Sequence, residues 1–99
     1  MANRMLVLYV LKRNGLENRL GITVSKKVGI SVIRSRVTRL IKESYRINEP
    51  LFETGYDLVF IARVAAKQAR FHEIEQSVLQ LMKRHRLIRP GGVTTSDQD

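Results

Sequence analysis

The chain has 99 residues, no cysteine, and 18 lysines and arginines against 9 acidic residues, giving a formal charge of +9 and a pI near 10.7. That length supports one core but no elaborate pocket, and the lack of cysteine excludes disulfides and thiolate metal sites while suiting a reducing cytoplasm. So large a cationic excess works against the compact state by self-repulsion, which makes sense if the partner is a dense anion.

Met1-Ala2-Asn3-Arg4-Met5 lacks the order of a signal peptide, and no apolar run approaches membrane-spanning length. A soluble cytoplasmic protein with no membrane partner is expected. Met5 to Lys12 is apolar on both alternating faces, the pattern of a strand covered on each side. Leu6, Leu8 and Val10 share one face, and Met5, Val7, Tyr9 and Leu11 share the other. Arg13-Asn14-Gly15 reads as a hairpin-type turn, with the next strand resuming near Arg19. In Leu20 to Ser25, Ile22 and Val24 alternate towards the core while Thr23 and Ser25 face away.

Val24 to Arg46 is the most informative stretch. Gly29 permits a tight turn, and Ser31 is placed to cap a helix. At about 100° per residue, Ile33, Val37, Leu40, Ile41, Ser44 and Ile47 form one apolar stripe. The opposite arc carries Arg34, Arg39, Lys42 and Arg46, with Arg36 on its flank, and only Glu43 offsets them. Lys26 and Lys27 precede the helix N-terminus, whose dipole and free N–H groups favour anions, so a phosphate seat is expected there. With no Trp or Phe at the border of its stripe, the helix suits nucleic acid better than lipid.

Asn48-Glu49-Pro50 breaks the pattern, and Glu53-Thr54-Gly55 turns into Tyr56 to Ala62, a nearly continuous apolar run that predicts a central strand. Val64 to Arg70 reads as a short connection. Phe71, Ile74, Val78, Leu81 and Met82 predict a second helix over 71–86, ending in cations. Pro90 to Asp99 has no periodicity, so one domain over 1–88 and a disordered tail over 89–99 are expected. The order β, β, α, β, α gives an α+β fold: a small two-layer α/β sandwich, one sheet with helices packed on it.

No catalytic constellation appears. The acids are scattered, Glu73 and Glu75 diverge at their spacing on a helix, and His72 and His85 lack metal-pair spacing. His85 reads as a packed or edge histidine, and Tyr45 and Tyr56 as ordinary edge residues. Tyr9 is either core filling or a stacking platform on an open sheet face. A plain structural RNA-binding module of ribosomal-protein type fits the basic charge equally well. A helix in the DNA major groove fits less well, because no helix-turn-helix pairing precedes the basic helix.

At Ser25-Lys26-Lys27-Val28-Gly29, followed by Val32-Ile33-Arg34-Ser35-Arg36-Val37-Thr38-Arg39-Leu40-Ile41-Lys42-Glu43, the chain resembles the protein subunit of bacterial ribonuclease P. The resemblance extends through Ala2-Asn3-Arg4, Tyr56-Asp57, Ala62-Arg63 and the last helix as far as Leu87. Arg34, Arg36 and Arg39 match the arginines of the family's basic motif, whereas Ser35 and Thr38 replace its usual Asn and Lys.

The resemblance implies a ribosomal-protein-like fold with a left-handed β-α-β crossover, and a holoenzyme subunit for tRNA 5′ maturation. Catalytic RNA performs the cleavage, with Mg²⁺ held mainly by that RNA and the substrate. It further implies that Lys26, Lys27, Arg34, Arg36, Arg39, Lys42 and Arg46 seat the catalytic RNA. Tyr9, Thr23, Ser25 and Arg63 would form part of a cleft for the precursor-tRNA 5′ leader. Family members normally carry a basic segment and helix ahead of the Ala2-Asn3-Arg4 position, where this chain begins. The Met5/Val7/Tyr9/Leu11 face is therefore expected to be partly bare and prone to form a homodimer.

Overall fold

The computed structural model describes residues 1–89. Three strands, β1 (Leu6–Lys12), β2 (Arg19–Thr23) and β3 (Tyr56–Ala62), form one sheet, with helices α1 (Ser31–Asn48) and α2 (Phe71–Arg84). Two 3-10 turns, Glu49–Leu51 and Val64–Gln68, complete the order. This is the expected two-layer α+β arrangement. The tail assigned to 89–99 lies, from residue 90 onward, outside the described residues.

The sheet order is β1-β3-β2, with β3 antiparallel to β1 and parallel to β2. The central place predicted for β3 is correct, but the hairpin is not, because β1 and β2 never pair. Their connection instead passes the start of β3, where Arg13 N–H donates to the Gly55 carbonyl at 2.8 Å. Asn18 fastens it. Its Nδ2 donates to Tyr45 Oη and to the Glu53 carbonyl, both at 2.9 Å, and its Oδ1 accepts from Tyr56 N–H at 2.9 Å. A parallel β2–β3 pair requires a crossover, and α1 supplies it.

Leu6, Leu8, Leu58 and Phe60 point into the core with Val37, Ile41, Phe52, Ile74, Val78, Leu81 and Met82. Val7, Val59, Ile61, Gly21 and Thr23 fall on the other face, where Tyr9 and Leu11 are 59% and 67% exposed. Coverage on both faces of β1 is therefore not observed among the described residues. Met5 also departs from the expected face: it precedes the strand and packs on the edge of the core.

In α1 the buried arc is Val37, Ile41, Ser44 and Tyr45. Ile47, assigned to the stripe, is 64% exposed, because the last turn presents Ser44, Tyr45 and Asn48 inward. Tyr45 is likewise no edge residue: it is buried with its ring 5.1 Å from that of Phe52. Nor is Ser31 the cap. It is already helical, and Ile30, with no side-chain acceptor, occupies the cap position.

Helix α2 ends in a Schellman pair, Leu87 N–H to Met82 O and Arg86 N–H to Lys83 O, both at 2.9 Å. Arg86 takes the left-handed position at φ 59°, where a non-glycine residue costs about 1–2 kcal/mol. Burial of Leu87 in the core offsets that cost. His85, half-buried at the helix end, has its Nε2 buried without a partner in the protein.

Burial raises the Tyr45 phenol above its ordinary value; the Asn18 hydrogen bond opposes the shift and the Glu49 carboxylate adds to it. The folded state therefore holds this proton more tightly than the unfolded chain. The stability from this difference is complete below the unfolded value of about 10 and is lost as pH rises from there through the raised folded value. At neutral pH, Tyr45→Phe should cost about 1 kcal/mol for the lost hydrogen bond. Denaturant titrations should show the gap between wild type and variant narrowing above about pH 10. A gap constant with pH would contradict the shift.

Candidate nucleic-acid interface

The basic turn is built around Val28, which is buried and anchors it from below. Val28 N–H donates to the Ser25 carbonyl at 3.0 Å and Lys27 N–H to Ser25 Oγ at 3.3 Å, leaving Lys26 and Lys27 exposed. Gly29 serves close approach rather than a special backbone angle: a Cβ there would lie 2.9 Å from Ile33 Cγ2. Neither Val28 nor this contact was evident from residue type alone.

Beyond the turn, Ser31, Arg34, Ser35, Thr38, Arg39 and Lys42 line one side of a groove of about 490 Å³, and Ile22 and Val24 line the other. The residues from α1 recur at three- and four-residue steps, so each turn adds a cation or hydroxyl to the same wall. Further along, Lys42 and Arg46 line a smaller hollow of about 170 Å³ with Asn18, Leu20, Tyr45 and Glu49. The wall thus runs most of the helix length beside β2, an edge strand.

Arg34 Nε donates to the Gly29 carbonyl at 3.2 Å, which ties it to the turn. Arg36 leans the other way, its Nη2 donating to the Ala69 carbonyl at 2.7 Å. Among the described residues the only ion pairs join Asp57 to Arg13 at 3.3 Å and to Arg19 at 3.1 Å. None of Lys26, Lys27, Arg34, Arg36, Arg39, Lys42 and Arg46 is neutralised by a carboxylate contact there. Such a wall favours a polyanion, because neutralising each phosphate releases condensed counterions.

Tyr9 and Thr23 lie away from this wall, on the bare side of the sheet, whereas Ser25 belongs to the basic turn at the start of the wall. Tyr9 stands opposite Val59 and Thr23 opposite Ile61, with Gly21 beside Val59. Arg63 follows β3 and its Nη1 donates to the Asn3 carbonyl at 3.0 Å. The structure thus does not gather the four residues predicted for the leader cleft in one place: Tyr9 and Thr23 share the bare sheet face, Ser25 joins the basic turn and Arg63 begins the β3–α2 connection. Among the described residues no group of three or more His, Cys, Asp or Glu is arranged to hold a metal ion, and no helix is long and apolar enough to cross a membrane.

Fold and face together define a small cationic α+β domain with one sheet face covered by helices and the other left bare among the described residues. The family described as Ribonuclease P matches residues 1–86. The chain is 52% identical over 88 residues to the ribonuclease P protein component of Alkaliphilus metalliredigens, covering 89% of this chain and 79% of that one. Against the counterpart from Clostridioides difficile it is 52% identical over 84 residues, covering 84% and 74%. The RNase P protein of Staphylococcus aureus superposes with a TM-score of 0.81 at 31% identity, covering 90% of this chain and 82% of that one. The Thermotoga maritima protein gives 0.79 at 28% identity, covering 85% and 80%. The chain belongs to the ribonuclease P protein component family, the protein subunits of that holoenzyme.

The turn offers a direct check on the packing. Gly29→Ala should lower stability by about 1–3 kcal/mol, because the added methyl meets the branched Ile33 at its root. Gly15→Ala, whose Cβ would meet only the movable Arg13 side chain at 3.3 Å, should change little. Equal melting temperatures for both variants would show that Ile33 yields freely.

Proposed function

We propose that this chain assists tRNA 5′ maturation by binding, with its helix wall on the catalytic RNA and its bare sheet face on the precursor-tRNA leader. The observation that carries this reading is the unneutralised wall of Arg34, Arg39 and Lys42 with Ser35 and Thr38 along the β2 groove. Arg36, on the flank, has its guanidinium on the Ala69 carbonyl, while Lys26 and Lys27 extend the wall at the helix start and Arg46 at the far end. Their contacts are with phosphates, so affinity falls steeply with salt. On the bare face Tyr9 offers a ring to a base and Thr23 a hydroxyl; Ser25 would add a hydroxyl from the basic turn and Arg63 a charge from the end of β3.

The chemistry belongs to the RNA. Mg²⁺ would be held by the catalytic RNA and substrate, where it neutralises developing charge on the cleaved phosphodiester. The protein's part is to hold substrate and catalyst in register, and its place of action is the cytoplasm.

Precursor-tRNA cleavage by a bacterial ribonuclease P RNA at low Mg²⁺ tests this, with and without the chain, on substrates with long and single-nucleotide leaders. Stimulation should grow with leader length. Equal stimulation on both substrates would remove the leader role, and tight RNA binding without any stimulation would favour a structural RNA-binding module.

The exposed Tyr9 and Leu11 strip would also favour pairing between two copies, which would compete with the leader for the same surface. Light scattering at high protein concentration should detect a dimer that leader RNA dissociates; a monomer throughout would exclude this use.

A further inference from the structure

The connection from β3 to α2 places Arg63, Lys67 and Arg70 on its exposed side, and Ala66 and Ala69 on its buried side. The two alanines are 0% and 2% exposed, and the 3-10 turn Val64–Gln68 packs on α1. Its backbone is closed at both ends. Ala66 N–H donates to Arg63 O at 2.9 Å, and Arg70 N–H donates to the Glu73 carboxylate at 2.8 Å. The tie to α1 is Arg36, whose guanidinium reaches the Ala69 carbonyl at 2.7 Å. A bond this short from a charged donor holds the connection against the basic helix. Lys67 and Arg70, like the cations of α1, have no carboxylate within ion-pair distance among the described residues.

We propose that Lys67 and Arg70 are phosphate contacts for the catalytic RNA, carrying the α1 wall round onto the β3–α2 connection, with Arg36 as the positioning residue that holds them. The inference rests on the reading of α1 as the RNA seat. Cations at fixed spacing bind a phosphate run better than mobile ones, because the ordering entropy is already spent. The buried alanines keep the connection close, since a larger side chain at Ala66 or Ala69 would push it off α1. An arginine suits position 36 because its planar fork donates one N–H to Ala69 while the charge stays on the α1 face.

The test measures affinity of the full chain for a bacterial ribonuclease P RNA across a salt series, with thermal melts alongside. The double variant Lys67→Ala/Arg70→Ala should bind several-fold more weakly and lower the slope of log affinity against log salt by about 1 per lost contact, at unchanged melting temperature. Arg36→Met should lower the melting temperature and weaken RNA binding. Introduced into the double variant, it should cost little further affinity, because the groups it positions are already gone.

A double variant with wild-type affinity and slope overturns the assignment of Lys67 and Arg70. An Arg36→Met loss that adds in full to the double variant's makes Arg36 a direct contact and overturns the positioning role. Should Arg36→Met fail to fold, the Lys67/Arg70 measurement still decides the placement. Failure of the wild-type chain to bind the RNA at all would overturn the reading of α1 itself.

Discussion

The structure depends on the insertion of β3 between β1 and β2. Because β2 and β3 lie side by side and parallel, the chain must travel back along the sheet between them, and α1 is that return path. Both helices bury against one face, so alternation along the strands becomes a division of labour. Leu6, Leu8, Leu58 and Phe60 go to the core, while Val7, Tyr9, Val59 and Ile61 remain on the other side. The basic wall follows from the same placement. A helix covering an edge strand turns its polar arc outward along that edge, which creates the groove between Ile22 and Val24 and the cations.

What was legible in the sequence was what local periodicity encodes. Tyr56 to Ala62 announced a central strand by its unbroken apolar run, and the one-sided charge of α1 marked its outer wall. Strand partnership was not legible. Asn14-Gly15 signals a turn but not its neighbours, and the hairpin reading failed because pairing is decided by distant burial that favours β3. Asn18 carried no signal for the same reason: its partners lie 27 to 38 residues away. Arg36 could be recognised as a cation of the helix, but not as a donor to a carbonyl 33 residues further on. Tyr45 and Ile47 exchanged roles because the buried arc is centred nearer Ile41 than simple counting from Ile33 suggested.

The uncompensated charge is a property of arrangement as much as composition. Several acids present are engaged in the scaffold: Asp57 holds Arg13 and Arg19, Glu75 accepts from Asn48 at 2.9 Å, and Glu73 accepts from the backbone at the start of α2. Each is therefore unavailable to the α1 wall, where Glu43 is the one acidic residue within the helix. A different placement of the same residues could pair most of the wall internally and remove much of the self-repulsion. Here that repulsion is tolerated, held by a core of large apolar side chains and by tethers such as Arg36 to Ala69. A partner that supplies negative charge would relieve it, so binding a polyanion and stabilising the fold draw on the same electrostatic energy.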